Sequence, residues 1–298
     1  MPIYNSQEIV THLHEIPQKV ISLVPSITET LLQFDLGDGL VGITDFCPPT
    51  EDVAIRPERI GGTKSPNLDR MLDLQPDLVI ANQEENSPGA IHGLDDAGIL
   101  VWLTFPKTAD EVIEDLWATV RIFRRERHLA PQIETLQRSM DWTRLAVENK
   151  NRQRYFCPIW VGENADWWMT FNQNTYPHDI LACCGGMNVF AERERRYPLE
   201  ADLGLQPAIE INEGDTRYPR VTPSEVVAVE PDLILLPSEP YPFSKNDADR
   251  MKELLAETPA VIKGEIHFFD GRLITWHGIH LAEAILRLPA YFQEDIPR

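Results

Sequence analysis

The sequence predicts an α/β protein built as two lobes with central parallel sheets flanked by helices, joined by one long helix. Three observations lead there. Short apolar runs alternate with helix-spaced segments along most of the chain, the pattern of parallel strands covered on both faces. The string QPDLVIANQEE at 75–85 is nearly rewritten as EPDLILLPSEP at 230–240: Pro, Asp and Leu recur in order, then an apolar run, then a glutamate at the eighth residue after the proline, Glu84 or Glu239. Between the copies, Ile133, Leu136, Met140, Thr143 and Val147 are spaced 3, 4, 3, 4. About 20 helical residues at about 1.5 Å each make a rod of about 30 Å, long enough to span a small domain.

The elements follow in order. KVISLVP (19–25) is a short apolar run ending at Pro and reads as a buried strand. SITETLLQFDLG has helical spacing at Ile27, Leu31 and Phe34, with Ser26 and Glu29 as a capping box and Gly37 as the C-cap. LVGIT (40–44) is the next strand, NLDRMLDLQ (67–75) a short helix, DLVIA (77–81) a strand, and IHGLDDAG then ILVWLT a helix and strand. TADEVIEDLWATVRIFRRE (108–126) carries Val112, Leu116, Val120 and Phe123 at helical spacing, and Pro131 suits the first turn of the long helix, which runs to about Lys150. The strand–helix pattern then restarts. RYFCPIWV (154–161) is a strand, YPHDILACCGG a helix with a Gly stop and NVF a short strand. TPSEVVAVE is a helix capped by Thr222 and Glu225, and DLILL a strand. The domain division is therefore an N-terminal lobe over 1–107, connecting helices over 108–150 and a C-terminal lobe over 151–298. Ligands of open α/β sheets lie beyond the carboxyl ends of the strands, where Glu84 and Glu239 sit. Two facing lobes place those loops on opposite walls of one cleft.

The bulk numbers agree with two domains: 298 residues, 43% apolar and 25% charged. A formal charge of −20 argues against a nucleic-acid surface and against an anionic membrane surface. No run is long enough to insert in a bilayer. The N-terminus, MPIYNSQEIVTHLHEIPQKVISLVPS, lacks the basic, apolar and small-residue regions of an export signal, so the expected location is cytoplasmic, with the periplasm or cell envelope as the alternative if a signal was removed. Cys47, Cys157, Cys183 and Cys184 form no CxxC pair and read as reduced, with a Cys47–Cys157 bridge left open.

Several motifs have bland readings. Gly37-Asp38-Gly39-Leu40-Val41-Gly42 spells GxGxxG, but it closes a helix and opens a strand, the inverse of a dinucleotide fingerprint. GGTKS (61–65) lacks the first glycine of a phosphate loop, leaving Lys64 as a cleft lysine or a surface one. His277 and His280 can share a metal at i, i+3, but no third or fourth ligand has matching spacing, so no protein-held metal is assigned. The strongest chemical signal is aromatic: Trp160, Trp167, Trp168, Phe171 and Tyr176 fall within IWVGENADWWMTFNQNTYPH, joined by Tyr241, Phe243 and Trp276. Trp160 reads as core, and Trp167 and Trp168 as loop residues. Loop aromatics beside a few polar groups suit a large, partly flat organic ligand, and a second small core under long loops is the alternative.

KVISLVPSITETLL, VGITDF, RIGGTKSPNLDRMLDLQPDLVIA, DILACCGGMNVF and YPRVTPSEVVAVEPDLILL resemble the iron-siderophore/cobalamin class of periplasmic-type substrate-binding proteins of ABC importers, the helical-backbone class. The resemblance covers nearly the whole chain and is nearest the cobalamin-binding branch. It implies two α/β lobes on a rigid helix with the ligand between them, little hinge closure, and an acid on each lobe that docks a membrane permease. Asp69 falls on the first docking position, shortened from Glu. Ser224 falls on the second by strict count, with Glu225 beside it. Phe46 stands where a cleft aromatic is expected and Tyr218 where a Trp is, while Thr63 and Asn82 replace Trp.

The expected function is a non-enzymatic substrate-binding protein for a metal chelate or tetrapyrrole-like ligand, such as a corrinoid, ferric siderophore or haem, with no covalent cofactor. One wall comprises Pro25, Phe46, Thr63, Lys64, Asn82, Gln83, Glu84 and Glu85. The other comprises Trp167, Trp168, Tyr218, Glu239, Tyr241, Phe243, Trp276 and His277. The expected partners are a small molecule and, by resemblance, an ABC permease. The rival readings are an enzyme using Glu84, Glu239 and His277 as acid–base groups, a direct metal-ion binder using His277, His280 and the acids, and a scaffold with a vestigial cleft.

Overall fold

The structure is a computed structural model describing residues 3–50, 56–210 and 214–293. The chain forms two compact units. One comprises Met1–Arg138 with Trp276–Ala282, the other Ser139–Thr275 with Glu283–Arg298. The boundary falls inside the long helix Glu126–Glu148. This helix begins earlier than Pro131 suggests. Pro131 sits in its second turn, where the missing N–H removes one backbone bond.

The first unit has six parallel strands: β1 (Ile3–Tyr4), β2 (Val20–Ser22), β3 (Leu40–Ile43), β4 (Glu58–Arg59), β5 (Leu78–Asn82) and β6 (Val101–Thr104). Their order is β1-β6-β5-β2-β3-β4. Successive residues of the central strands are buried on opposite faces. Val20, Leu78, Ile80 and Trp102 enter one core, and Ile21, Val79, Ala81 and Val101 another. Burial on both sides explains why these strands read as continuous apolar runs without alternation.

The helix after β2 corrects the expected capping box. It runs Pro25–Gln33 with Val24 as N-cap and no side-chain cap, because Pro25 occupies the first turn and places Ser26 inside the helix. Glu29 instead reaches His280, with Oε2 3.0 Å from the imidazole Nδ1. Nor is Gly37 the C-cap. Asp35 takes the left-handed turn at φ 54°, and Gly37 opens a 3-10 turn.

The segment Trp276–Ala282 belongs to this first unit, although the rest of the chain around it belongs to the second. The Ile279 N–H donates to Thr30 Oγ1 at 3.1 Å. Gly278 has φ +70°, and a Cβ there would collide with Thr30 Oγ1, so only glycine brings the backbone this close.

The second unit has a four-stranded parallel sheet and a small antiparallel one. The parallel sheet uses β7 (Gln153–Phe156), β10 (Gly186–Asn188), β12 (Leu233–Pro237) and β13 (Ile266–Phe269), in the order β10-β7-β12-β13. The small sheet uses β8 (Trp160–Val161), β9 (Trp168–Met169) and β11 (Arg220–Val221), in the order β11-β9-β8. The run RYFCPIWV is thus two strands. Pro158, unable to donate a ladder bond, lies in the break between them. The cap of the helix Pro223–Ala228 is as expected, with Thr222 and Glu225 bonding each other's backbone N–H. All four cysteines are buried free thiols.

Candidate functional site

In each parallel sheet the strand order reverses at one point, and the loops there are the natural place for a ligand. In the first unit the reversal lies between β2 and β5. The side chain that organises the loops is Asn86, which the sequence did not single out. Its Oδ1 accepts from the Asn82 N–H at 2.8 Å. Its Nδ2 donates to the Leu23 carbonyl at 3.2 Å and the Thr63 carbonyl at 2.9 Å. One buried amide therefore ties together the loops after β2, β4 and β5. Lys64 Nζ adds a short bond to the Glu84 carbonyl. Arg59 braces the next loop, donating to the carbonyls of Thr44 at 2.6 Å, Cys47 at 3.0 Å and Pro48 at 3.1 Å. On this braced rim Phe46 is 67% exposed. Lys64 and Gln83 are exposed, while Thr63, Glu84 and Glu85 are half-buried.

Two expected members of this wall are structural. Pro25 is buried at the start of its helix. Asn82 is fully buried: its Oδ1 accepts from the N–H groups of Glu84 at 2.8 Å and Glu85 at 3.2 Å, and its Nδ2 donates to Thr104. An Asx turn of this kind shapes the loop and presents nothing to a ligand.

In the second unit the reversal lies between β7 and β12. There Trp160 meets Tyr241 edge-on, with centroids 5.5 Å apart, and Tyr241 meets Phe243 at 4.8 Å. Trp160 is 47% exposed, which corrects its assignment to the core. Trp168 is 0% exposed and Phe243 is buried, which corrects their assignment to the ligand wall. The small sheet explains both reversals. Trp160 and Trp168 are not register partners: Val161 pairs with Trp168 and Trp160 with Met169. Directly opposite residues share a face and successive ones alternate. The row Val161–Trp168–Val221 packs into the core of this unit, so the row Trp160–Met169–Arg220 looks the other way.

Trp167 is half-buried under the Arg220 guanidinium, 4.3 Å from its ring centroid, and Tyr218 lies similarly beside Arg217 at 5.2 Å. Glu239 Oε1 accepts from Thr275 Oγ1 at 2.5 Å. Gly271 makes that strand end possible, since a Cβ there would sit 2.4 Å from the Glu239 carbonyl oxygen.

Trp276 and His277, expected on the second wall, belong to the first unit. His277 is buried, and desolvation lowers its pKa to about 4, so it is neutral at physiological pH. Among the described residues no group of three or more His, Cys, Asp or Glu could hold a metal ion, and no helix is long and apolar enough to cross a membrane. Of the two acids expected to dock a permease, Asp69 is exposed in the first turn of the helix Leu68–Asp73. Glu225 is engaged internally: Oε2 accepts from the Thr222 N–H at 2.9 Å, and Oε1 lies 3.3 Å from Arg193 Nε.

The sequence matches the family described as Periplasmic binding protein over residues 20–273. It is 28% identical over 204 residues to a vitamin B12-binding protein of Vibrio cholerae, covering 64% of this chain and 69% of the relative. A vitamin B12-binding protein of Photorhabdus laumondii is 27% identical over 193 residues, covering 62% and 66%. Among solved structures, the periplasmic vitamin B12 binding protein of Vibrio cholerae superposes with a TM-score of 0.70 at 21% identity, covering 93% of this chain and 96% of that one. The periplasmic heme binding protein of the same organism does so with 0.68 at 18% identity, covering 92% and 98%. A cytoplasmic location, expected from the N-terminal residues, is overturned by the match to a family of periplasmic binding proteins. The match spans both parallel sheets apart from β1, and every strand-end loop described above, and the chain belongs to the periplasmic binding protein family.

Proposed function

We propose that this protein is a non-enzymatic solute receptor that binds a corrinoid, haem or ferric chelate on its strand-end loops and hands it to an ABC permease. The observation that carries the reading is the open aromatic pair Trp160–Tyr241 at the strand reversal of the second unit. Large rings that stay partly exposed at such a point leave their faces available to a flat organic ligand. Phe46, on the braced rim of the first unit, is a second ring of this kind. The names of the relatives support the ligand class, since two are vitamin B12-binding proteins and one is a heme binding protein.

In this reading Lys64, Glu84 and Glu85 are the polar rim groups of the first unit, and Glu239 is that of the second. Trp168, Phe243 and Asn82 support the fold beneath. Asp69 is the docking acid toward the permease.

The test is titration of the purified protein with cyanocobalamin, haem and a ferric siderophore, following tryptophan quenching, with W160A alongside. Tight binding of one of them, weakened at least tenfold in W160A with the melting temperature unchanged, is expected. Failure of all three to bind the intact protein overturns the receptor reading.

A further inference from the structure

The second unit holds an unusual set of arginines for a chain of net charge −20. Arg193, Arg195, Arg217 and Arg220 surround one end of the small sheet. Two of them are neutralised. Arg193 pairs with Asp202 at 3.1 Å and Glu225 at 3.3 Å, and Arg217 pairs with Asp215 at 2.7 Å. The other two meet carboxylates only through charge at longer range, Arg220 with Asp202 and Glu200 and Arg195 with Asp215. Among the described residues the side chains of Arg195 and Arg220 form no ion pair and donate no hydrogen bond, and the Nε of each is buried without a partner. Each instead covers a ring, Arg195 over Tyr197 at 5.1 Å and Arg220 over Trp167 at 4.3 Å.

The nearby carboxylates are already engaged. Asp202 Oδ1 also accepts the Arg196 N–H at 2.9 Å, and its Oδ2 accepts the backbone N–H of Arg220 at 2.7 Å. Asp215 Oδ1 accepts the N–H of Arg217 at 3.0 Å and its Nε at 2.8 Å. Glu200 is held by Gln206. Two like charges are therefore kept close together. Burial, and then the charge of Arg195, hold the Arg220 guanidinium below its ordinary pKa. Stacking on rings fixes the planes of both guanidiniums and, among the described residues, leaves their hydrogen-bonding edges uncommitted. Register supplies the second half of the argument. Arg220 stands in one row with Met169 and Trp160, on the face turned away from the core. An apolar surface of an indole and a thioether thus ends at a guanidinium.

Resting on the receptor reading above, we propose that Arg195 and Arg220 bind acidic groups on the rim of a ligand lying flat on the Trp160–Met169 face, so that the solute is a planar macrocycle carrying carboxylates. A guanidinium pairs with a carboxylate through two parallel bonds, and such charge-assisted bonds are the strong ones. A macrocycle whose periphery bears only neutral amides leaves this pair of cations unanswered.

The experiment compares haem with its dimethyl ester, which has the same ring and metal but no carboxylate, and with cyanocobalamin, on the intact protein and on R195Q, R220Q and the double variant. Haem is expected to bind. Esterification is expected to weaken it by about tenfold to a hundredfold for each acid blocked, the loss of a charge-assisted bond. The double variant is expected to lose the same factor for haem and nothing for the ester. The ester arm uses the unmodified protein, so it stands even where a variant folds poorly. Equal affinity for haem and ester overturns the proposal. Tight binding of cyanocobalamin that R195Q and R220Q leave unchanged, with haem excluded, overturns it too while the receptor reading stands. Binding of none of the three, together with no ferric siderophore bound, overturns both.

Discussion

Replacing Asp115 by Asn should change how the stability of the first unit depends on pH. Asp115 lies on the helix Ala109–Ile122, facing the N-terminal helix Ser6–His12 and β6. Its carboxyl accepts a short bond from Ser6 Oγ, which in turn accepts from Trp102 Nε1 at 3.0 Å. Burial pushes its pKa from 3.8 to about 7, against the opposing bond from Ser6 and with help from Glu111 and Glu114. Between those values the folded chain holds a proton that the unfolded chain has lost. Stability is therefore full below about pH 4, falls as pH rises, and is flat again above about 7, a total loss of about 4 kcal/mol. His277 works in the opposite sense. Its pKa is lowered from 6.5 to about 4, so the unfolded chain binds the proton first and stability is lost as pH falls through that window, by about 3 kcal/mol. The two slopes oppose each other between pH 4 and 6.5.

Asp115→Asn removes one of them with almost no change of shape, since its amide oxygen still accepts from Ser6. Urea unfolding at half-unit intervals from pH 4 to 8 gives the variant's stability minus the parent's, and amide exchange of β5 assigns the change to the first unit. The difference should grow by about 4 kcal/mol from pH 4 to 7 and then stop. The variant alone should gain stability up to about pH 6.5 as the His277 slope is uncovered. Parallel curves for the two proteins would refute the argument, because they would show Asp115 titrating alike in both states.

The two tryptophans make a paired test. Trp168→Ala should destabilise the second unit by about 3–5 kcal/mol, the usual result of emptying a buried aromatic site, whereas Trp160→Ala should leave the urea midpoint within experimental error and weaken ligand binding. Asn86→Ala leaves the Asn82 N–H and two loop carbonyls without their partner; a loss of about 2–4 kcal/mol and a weaker ligand complex are expected, checked by urea unfolding and tryptophan quenching. Gly271→Ala forces a methyl group onto the Glu239 backbone and should lower stability by about 1–3 kcal/mol while displacing the Glu239 loop, visible as altered amide exchange at Ser238–Tyr241.

What could be read in the sequence was set by periodicity, and what could not was set by contacts that periodicity ignores. The central strands β2, β5 and β12 announce themselves, because burial on both faces demands consecutive apolar residues. The short strands β8, β9 and β11 have two residues each, too few for alternation to show. Without their register, sequence alone cannot sort Trp160 from Trp168 between surface and core. The unit to which Trp276 and His277 belong is hidden for a different reason. Sequence order assigns them to the second lobe, but a bond from Ile279 to Thr30 and a pair between His280 and Glu29 bring their segment into the first unit. The one local signal was Gly278, whose position next to Thr30 tolerates no side chain. Asn86 carried no signal at all, as an asparagine after a strand is usually only a turn former. Its importance comes from the three loops it reaches, and those loops meet only once the sheet order is known. The same holds for Arg220, which looks like any arginine before a helix until the ladder sets it beside Met169 and Trp160. The strand ends are therefore legible in the sequence as a place, whereas the side chains proposed to select the ligand there are ones that only pairing brings together.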